Sequence, residues 1–187
     1  DIWSLYADSE FSLPIETVNP WKGWDPSPEH RRETIQGYYT TITAMDRAIG
    51  RILRHLDNTG LAEDTLVIFT SDNGYSLGHH GIMGKGNGTY PLNMFEESVK
   101  VPFLMRLPGG DMGGQVNSEL LSHYDMMPTL IDYLGLEYSK NDILPGKSFA
   151  SILRNSPLES SRKSVVICDE YGPNRMLRTP EWKYVQR

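Results

Sequence analysis

An aspartate–asparagine pair that directly follows an apolar segment is the first place in this sequence where chemistry is expected. Asp72 and Asn73 come after residues 65–70, a run with the length and composition of a β-strand. A carboxylate beside an amide carbonyl offers two hard oxygen donors, which suit Ca²⁺ or Mg²⁺ better than a soft metal. Asp-Asn-Gly is also a common turn tripeptide, because Asn and Gly tolerate positive φ. On these residues alone, a turn is the simpler explanation.

A glycine-rich segment with two histidines and a lysine follows this pair. It contains Gly78-His-His-Gly81 and then Gly84-Lys-Gly-Asn-Gly88. So many glycines allow the backbone to approach a ligand closely, and Lys85 can neutralise an anionic oxygen as a point charge. Taken singly, His79, His80 and Lys85 are each explained as solvated loop side chains. Their grouping beside the aspartate–asparagine pair is the informative feature.

Two elements are expected to position these residues. From Pro28 to Leu56, apolar residues recur every three or four positions, which predicts one long amphipathic helix. Ser27 is its predicted N-cap, and Gly60 is its predicted end. The continuous apolar run at 65–70 predicts a strand buried on both faces, as in a parallel sheet between helices. Ligands collect at the carboxyl ends of such strands.

The rest of the chain predicts further short elements. Residues 101–106 and 165–168 are strand-like, residues 176–185 suggest a hairpin, and Asp125 is a predicted cap for a helix through Leu134 that Gly135 ends. We therefore expect an α/β fold, with part of a mixed, mostly parallel sheet flanked by helices and a small C-terminal antiparallel sheet. The expected organisation is an irregular arm at 1–28, an α/β domain at 29–160 and the start of a small subdomain at 161–187.

Composition excludes several classes of protein. The 187 residues are 39% hydrophobic and 22% charged, as in a globular domain with a core. A net charge of −6 without a clustered basic run argues against nucleic acid as a partner. No apolar run approaches the roughly 20 residues of a membrane span. The single cysteine, Cys168, cannot form an internal disulfide.

The order of these motifs resembles the second half of the sulfatases, which belong to the alkaline phosphatase superfamily. The matching segments lie between about residues 30 and 187 and are Tyr39, Met45-Asp46, Ile49-Gly50-Arg51, Thr70-Ser-Asp-Asn-Gly-Tyr-Ser-Leu-Gly-His-His-Gly81, Gly84-Lys-Gly86, Glu97-Ser-Val-Lys-Val-Pro102, Leu107-Pro-Gly109, Asp125-Met-Met-Pro-Thr129 and Leu134-Gly135. The resemblance implies an alkaline phosphatase-like sheet and a sulfuric ester hydrolase.

The resemblance also implies roles for individual residues. Asp72 and Asn73 match the pair that helps to ligate a divalent cation, which is Ca²⁺ in most members with Asp-Asn, with Mg²⁺ or Mn²⁺ as alternatives. Lys85 matches the lysine that contacts the sulfate ester oxygens. His80 occupies the position of the histidine in the family's Gly-x-His-Gly segment, and we assign it a catalytic role alongside Lys85.

The nucleophile implied by the resemblance is not found in this sequence. The family uses a formylglycine made from the Cys or Ser of a Cys/Ser-x-Pro-x-Arg motif, and Cys168 lies in no such motif. We therefore expect that motif in a missing N-terminal half, which would be a partner of this chain, and we expect the chain alone to be inactive. The implied substrate is a sulfated small molecule or a sulfated glycan. Family analogy favours a periplasmic or secreted location.

Two alternatives to a sulfatase remain open from the sequence. One is a phosphonate or phosphate diester hydrolase of the same superfamily, although those relatives tend to carry Asp-His in place of Asp72-Asn73. The other is a non-catalytic half that binds an anion or a partner chain. The adjacent carboxylates Glu96 and Glu97 are expected to be solvated and receive no role.

Overall fold

The computed structural model describes residues 1–11, 27–85, 92–110, 112–138, 144–158, 162–169 and 174–187. The chain divides into two compact units, Asp1–Gly110 and Asp111–Arg187. Most of the predicted irregular arm, residues 12–26, lies outside the described residues, and so do residues 86–91. The domain boundaries expected at residues 28 and 160 stay predictions. Within the described ranges, no helix has both the length and the apolarity needed to cross a bilayer.

The first unit is built around one long helix and two short antiparallel pairs. Its helices and strands are α1 (Pro28–Thr59), β1 (Val67–Thr70), β2 (Ser76–Leu77), β3 (Met83–Gly84), α2 (Glu96–Val99) and β4 (Phe103–Arg106). Short 3₁₀ turns lie at Trp3–Tyr6, Leu61–Asp64, His79–Gly81 and Pro108–Gly110. The α/β class predicted from the sequence is confirmed.

Helix α1 begins and ends where its capping residues predict. The Ser27 side chain accepts a hydrogen bond from the His30 N–H at 3.3 Å, and Pro28 occupies the first turn. Gly60 ends the helix in the left-handed conformation, with φ 73°. The Trp3–Tyr6 turn packs on the helix, where the Gln36 side chain donates to the Trp3 carbonyl at 3.0 Å.

The apolar stripe of α1 is less covered than its periodicity suggests. Ile35 is buried, but Ile42, Met45 and Ile52 are exposed. Tyr39 contacts the rings of Tyr6 and Phe11 near the start of the helix. In the described part of the chain, full burial of the stripe is therefore confined to its first turns, where the N-terminal segment packs, while Ile49, Leu53 and Leu56 are half-buried.

Strand β1 differs from the prediction in its partner and its burial. It pairs antiparallel with β4, in the register Val67↔Arg106 to Thr70↔Phe103. Its first three residues are half-buried and Thr70 is exposed, so the strand is not buried on both faces. The described strands contain no parallel pair. An apolar run specifies a strand but not the direction of its neighbour, which is why the parallel assignment was wrong for this pair.

The second unit contains two short helices and a three-stranded antiparallel sheet. Its helices and strands are α3 (Met126–Tyr133), α4 (Ala150–Leu153), β5 (Val165–Cys168), β6 (Arg175–Arg178) and β7 (Lys183–Gln186), with a 3₁₀ turn at His123–Asp125. The sheet order is β5-β6-β7, and Val165 and Met176 are buried on one face. The predicted C-terminal antiparallel sheet is therefore confirmed.

Asp125 occupies the N-cap position of α3, as predicted, but its side chain forms no capping hydrogen bond to that helix. Ser122 is the N-cap of the preceding 3₁₀ turn, and the Ser122 and Asp125 side chains form a reciprocal capping box around that turn. Asp125 is instead a buried carboxylate, 1% exposed, that accepts the N–H groups of Ser122 and Lys147, each at 2.8 Å. Arg162 pairs with the same carboxylate. The second unit is thus organised around a buried charge that has several partners.

A second carboxylate of this unit is exposed and paired. Asp132 accepts hydrogen bonds from the Ser148 hydroxyl at 2.5 Å and from Arg154 at 3.0 Å. The Ser148 hydrogen bond, followed by that from Arg154, lowers the pKa of the Asp132 carboxyl below its ordinary value. Because the folded pKa is depressed, this stabilisation exists above the ordinary carboxyl pKa and is lost as the pH falls through the folded one.

Candidate active site

The aspartate–asparagine pair lies in a bend directly after β1, and its hydrogen bonds leave two oxygens available. Asp72 Oδ1 accepts the N–H of Asn73 at 2.8 Å. The Asn73 Nδ2 group donates to the Gly74 carbonyl at 2.8 Å, which turns the amide oxygen to the opposite side. Asp72 Oδ2 and Asn73 Oδ1 accept no hydrogen bond from any described residue. These two hard oxygens fit the ligand preference of Ca²⁺ or Mg²⁺.

The pair alone is a partial ligand set. Ca²⁺ binds six to eight oxygens in proteins, and the described residues hold no cluster of three or more His, Cys, Asp or Glu side chains arranged for a metal. Asp72 is exposed and Asn73 is half-buried at the end of the strand. The arrangement can thus contribute two ligands to a cation that also has ligands from elsewhere.

Gly74 fixes this bend by close packing. Its N–H donates to the Ser98 carbonyl at 2.9 Å. A Cβ atom at Gly74 would lie 2.0 Å from the carbonyl oxygen of Glu97 and 3.0 Å from that of Lys100. Neither Asn73 nor Gly74 has positive φ. The glycine is therefore required by its contact with the Glu96–Val99 turn, not by the φ argument that made Asp-Asn-Gly a turn candidate.

Replacing Gly74 by alanine is expected to destabilise the first unit by about 1–3 kcal/mol, since the added methyl group overlaps backbone that cannot move independently. Urea unfolding of the chain measures this loss. Gly37→Ala is the matched control, because a Cβ there lies 3.6 Å from the Trp3 ring and alanine favours a helix. Equal stability of the Gly74→Ala and Gly37→Ala variants would contradict the packing argument.

The hairpin β2–β3 returns Lys85 toward the metal-ligand candidates. Ser76 pairs with Gly84 and Leu77 with Met83, and the Gly78 N–H donates to the Ile82 carbonyl at 2.8 Å. Lys85 follows Gly84 and is exposed. The pairing therefore places the Lys85 backbone beside the segment that begins at Gly74. The glycines predicted at 86 and 88 lie outside the described residues.

His80 lies in the tight turn between these two strands. Its backbone is left-handed, with φ 55° and ψ 26°, between glycines 78 and 81, which also have positive φ. The imidazole stacks on the Phe95 ring, with centroids 3.8 Å apart and planes inclined by 12°. His80 Nε2 lies 3.3 Å from Glu97 Oε2. His79 has a different role, since its Nδ1 accepts the Leu77 N–H at 3.4 Å.

Glu97 is the residue that sequence reasoning missed. It was expected to be solvated, but its carboxylate pairs with His80 and its carbonyl packs against Gly74. A pair of adjacent glutamates carries no local signal for such contacts, because both depend on segments more than fifteen positions away. The Glu96–Val99 turn therefore contacts both the bend that carries Asp72 and Asn73 and the side chain of His80. The β2–β3 hairpin places the Lys85 backbone beside the segment that begins at Gly74. The catalytic and ligand roles of these residues stay predictions.

Sequence comparison relates this arrangement to known proteins. The model of the family described as Sulfatase matches residues 9–136. The ulvan-active sulfatase of Formosa agariphila is 34% identical over 168 residues, covering 83% of this chain and 31% of that protein. The choline-sulfatase of Rhizobium meliloti is 27% identical and covers 98% of this chain and 38% of that protein. The chain thus spans about a third of the length of these curated relatives.

The fold of this chain is also similar to solved structures. BT4656 in complex with its substrate D-glucosamine-2-N,6-O-disulfate superposes with a TM-score of 0.72 at 27% identity, covering 84% of this chain and 32% of that one. The phosphonate monoester hydrolase of Agrobacterium radiobacter also gives 0.72, at 29% identity, covering 88% of this chain and 34% of that one. Both similarities extend over most of the chain.

Proposed function

Because this chain belongs to the sulfatase family of the alkaline phosphatase superfamily, we propose that it supplies two metal ligands and a sulfate-binding lysine to a sulfuric ester hydrolase. The observation that carries the proposal is the pair of oxygens at the end of β1, Asp72 Oδ2 and Asn73 Oδ1, which accept no hydrogen bond from the described residues. Both are hard donors on a bend that Gly74 holds in place.

Asp72 and Asn73 would hold a divalent cation, with Ca²⁺ favoured and Mg²⁺ or Mn²⁺ as alternatives. When bound, such a cation supplies positive charge that stabilises the sulfate oxygens. Lys85 contributes a second positive charge and binds the anionic ester, since a lysine acts as a point charge toward such oxygens. His80, fixed by Phe95 and Glu97, presents an imidazole that can hold or deliver a proton near the ester.

The remaining parts of the enzyme are proposed to come from a segment preceding this chain. The chain spans about a third of its relatives' length, and it contains no Cys/Ser-x-Pro-x-Arg motif for a formylglycine nucleophile. We propose that such a segment supplies the nucleophile and further metal ligands, that the chain alone has no activity, and that the enzyme is exported to the periplasm or secreted.

The proposed substrate is a sulfated small molecule or glycan. Two relatives support a sugar sulfate, because one is described as ulvan-active and BT4656 is described with a glucosamine disulfate as its substrate. Phosphonate ester hydrolysis is the second candidate, favoured by the similarity to phosphonate monoester hydrolase. Parallel assays with a sulfate ester and a phosphonate monoester of the same alcohol would separate the two.

The metal part of the proposal predicts selective changes on calcium addition. Titration of the ¹⁵N-labelled chain with CaCl₂ is expected to shift the Asn73 side-chain amide and the backbone signals of residues 71–74, with a dissociation constant of about 10⁻³ M because the ligand set is partial. Asp72→Ala should abolish these shifts. Asp46→Ala, which removes an exposed carboxylate from α1, is the control and should leave them unchanged. Identical titrations of the Asp72→Ala variant and the native chain would contradict the assignment.

A further inference from the structure

A cluster of three side chains surrounds the turn that contains His80. The imidazole stacks on Phe95 with centroids 3.8 Å apart and planes 12° from parallel. His80 Nε2 is 3.3 Å from Glu97 Oε2. The stack fixes the plane of the ring, but a half-turn about the Cβ–Cγ bond restores that plane and exchanges the positions of its nitrogen and carbon atoms. The Glu97 carboxylate removes this freedom, because an acceptor at Nε2 selects one of the two flipped orientations.

The turn that carries Glu97 is itself held rigidly. Asn93 is buried, and its Oδ1 accepts both the Phe95 N–H at 3.1 Å and the Ser98 hydroxyl at 2.8 Å. Ser98 is fully buried. A side chain mounted on such a turn loses little further entropy when it pairs, so Glu97 is suited to orient a neighbour even though the pair is partly exposed to solvent.

The same turn also holds the metal-ligand bend. The Ser98 carbonyl accepts the Gly74 N–H at 2.9 Å, and the Glu97 carbonyl lies where a Cβ of Gly74 would be. Glu97 therefore contacts the Asp72–Asn73 bend through its backbone and His80 through its side chain. A displacement of this residue would move both groups together.

We infer that Glu97 is a positioning residue that holds the His80 imidazole with its Nε2–H toward the carboxylate and sets its place relative to the Asp72–Asn73 bend. The consequence for turnover rests on the proposed function, whereas the orientation of the ring does not. Glu97 acts through His80 and contacts no substrate in this role. Its contribution is to geometry, since misplacement of a catalytic group by about 1 Å costs on the order of a hundredfold in rate.

The orientation is tested by ¹⁵N NMR of the histidine rings in the full 187-residue chain. At pH 9, well above the ordinary imidazole pKa of about 6.5, the His80 ring nitrogens are expected to report a larger fraction of the Nε2–H tautomer than the exposed His55. In Glu97→Leu, this fraction should fall relative to that of the native chain. In Glu97→Gln it should stay near the native value, because the amide oxygen still accepts from Nε2.

Turnover provides the second readout. In the enzyme completed by the upstream segment, Glu97→Leu is expected to lower kcat for a sulfate ester about tenfold to a hundredfold, with KM changed much less and with substantial rescue in Glu97→Gln. Glu33→Leu, at an exposed position of α1, is the matched control. His80 tautomers that match those of His55 in the native chain, or that do not respond to Glu97→Leu, would overturn the inference. Absence of sulfate ester turnover in the native enzyme would overturn the proposed function instead.

Discussion

Replacing Lys85 by alanine is expected to reduce sulfate ester turnover about a hundredfold to a thousandfold in the enzyme to which this chain is proposed to belong. The physical reason is that the lysine is proposed to face the charged oxygens of the ester, where a fixed positive group in a partly desolvated site contributes far more than it would in water. The hairpin β2–β3 is consistent with this role, because Ser76↔Gly84 pairing places the Lys85 backbone beside the segment that follows Asp72 and Asn73. Steady-state kinetics with a chromogenic aryl sulfate measure the loss.

Two further variants make the Lys85 result interpretable. Lys163→Ala removes an exposed lysine of the second unit and should change kcat/KM by less than about twofold. Lys85→Arg keeps the charge but changes the donor geometry, so partial recovery is expected. If Lys85→Ala retained more than a third of native turnover, the lysine would have no role in binding the ester, and it would be a solvated loop residue.

Replacing Asp125 by alanine is expected to destabilise the second unit by about 3–5 kcal/mol, the usual loss when one partner of a buried ion pair is removed. The carboxylate is 1% exposed and accepts the N–H groups of Ser122 and Lys147, each at 2.8 Å. Its removal leaves those donors and the Arg162 guanidinium without their acceptor. Denaturant unfolding followed by the near-ultraviolet signal of Trp182 and the tyrosines of that unit measures the change.

Asp132→Ala is the matched control, since Asp132 also pairs with an arginine in the same unit but is exposed. Exposed pairs contribute about 0–1 kcal/mol, so this variant should unfold close to the native midpoint. Its small effect should also shrink in acid, because the pKa of the Asp132 carboxyl is lowered in the folded state. An Asp125→Ala variant as stable as Asp132→Ala would show that the buried charge does not organise this unit.

Local signals predicted helix α1 and its ends. Ser27, Pro28 and Gly60 each act through backbone groups within one turn, so their sequence alone specifies the conformation. The C-terminal strands were predictable for a similar reason, because each one pairs with the strand that is next to it in the sequence. At Asp125 the predicted N-cap position is correct, but the carboxylate accepts from the Ser122 N–H and pairs with the distant Arg162, contacts that no local pattern indicates.

The candidate site was predictable in its residues but not in its connections. Asp72, Asn73, His80 and Lys85 are recognisable by type and spacing. The contacts of Glu97 with Gly74 and His80 depend on tertiary packing across more than fifteen positions, and no periodicity encodes them. The antiparallel pairing of β1 was missed for the same reason, since an apolar run carries no information about the direction of its neighbour.

The hydrogen bond from the Gly74 N–H to the Ser98 carbonyl also determines how the loop between these residues can change in length. Residues 75–97 form a loop between these two positions, and the hydrogen bond holds the two ends of the loop together. Insertions or deletions near the tip of such a closed loop cost little, because loop-closure entropy grows slowly with length. Changes in the length of this loop are therefore expected to leave the geometry of the Asp72–Asn73 bend and of strands β1 and β4 unchanged.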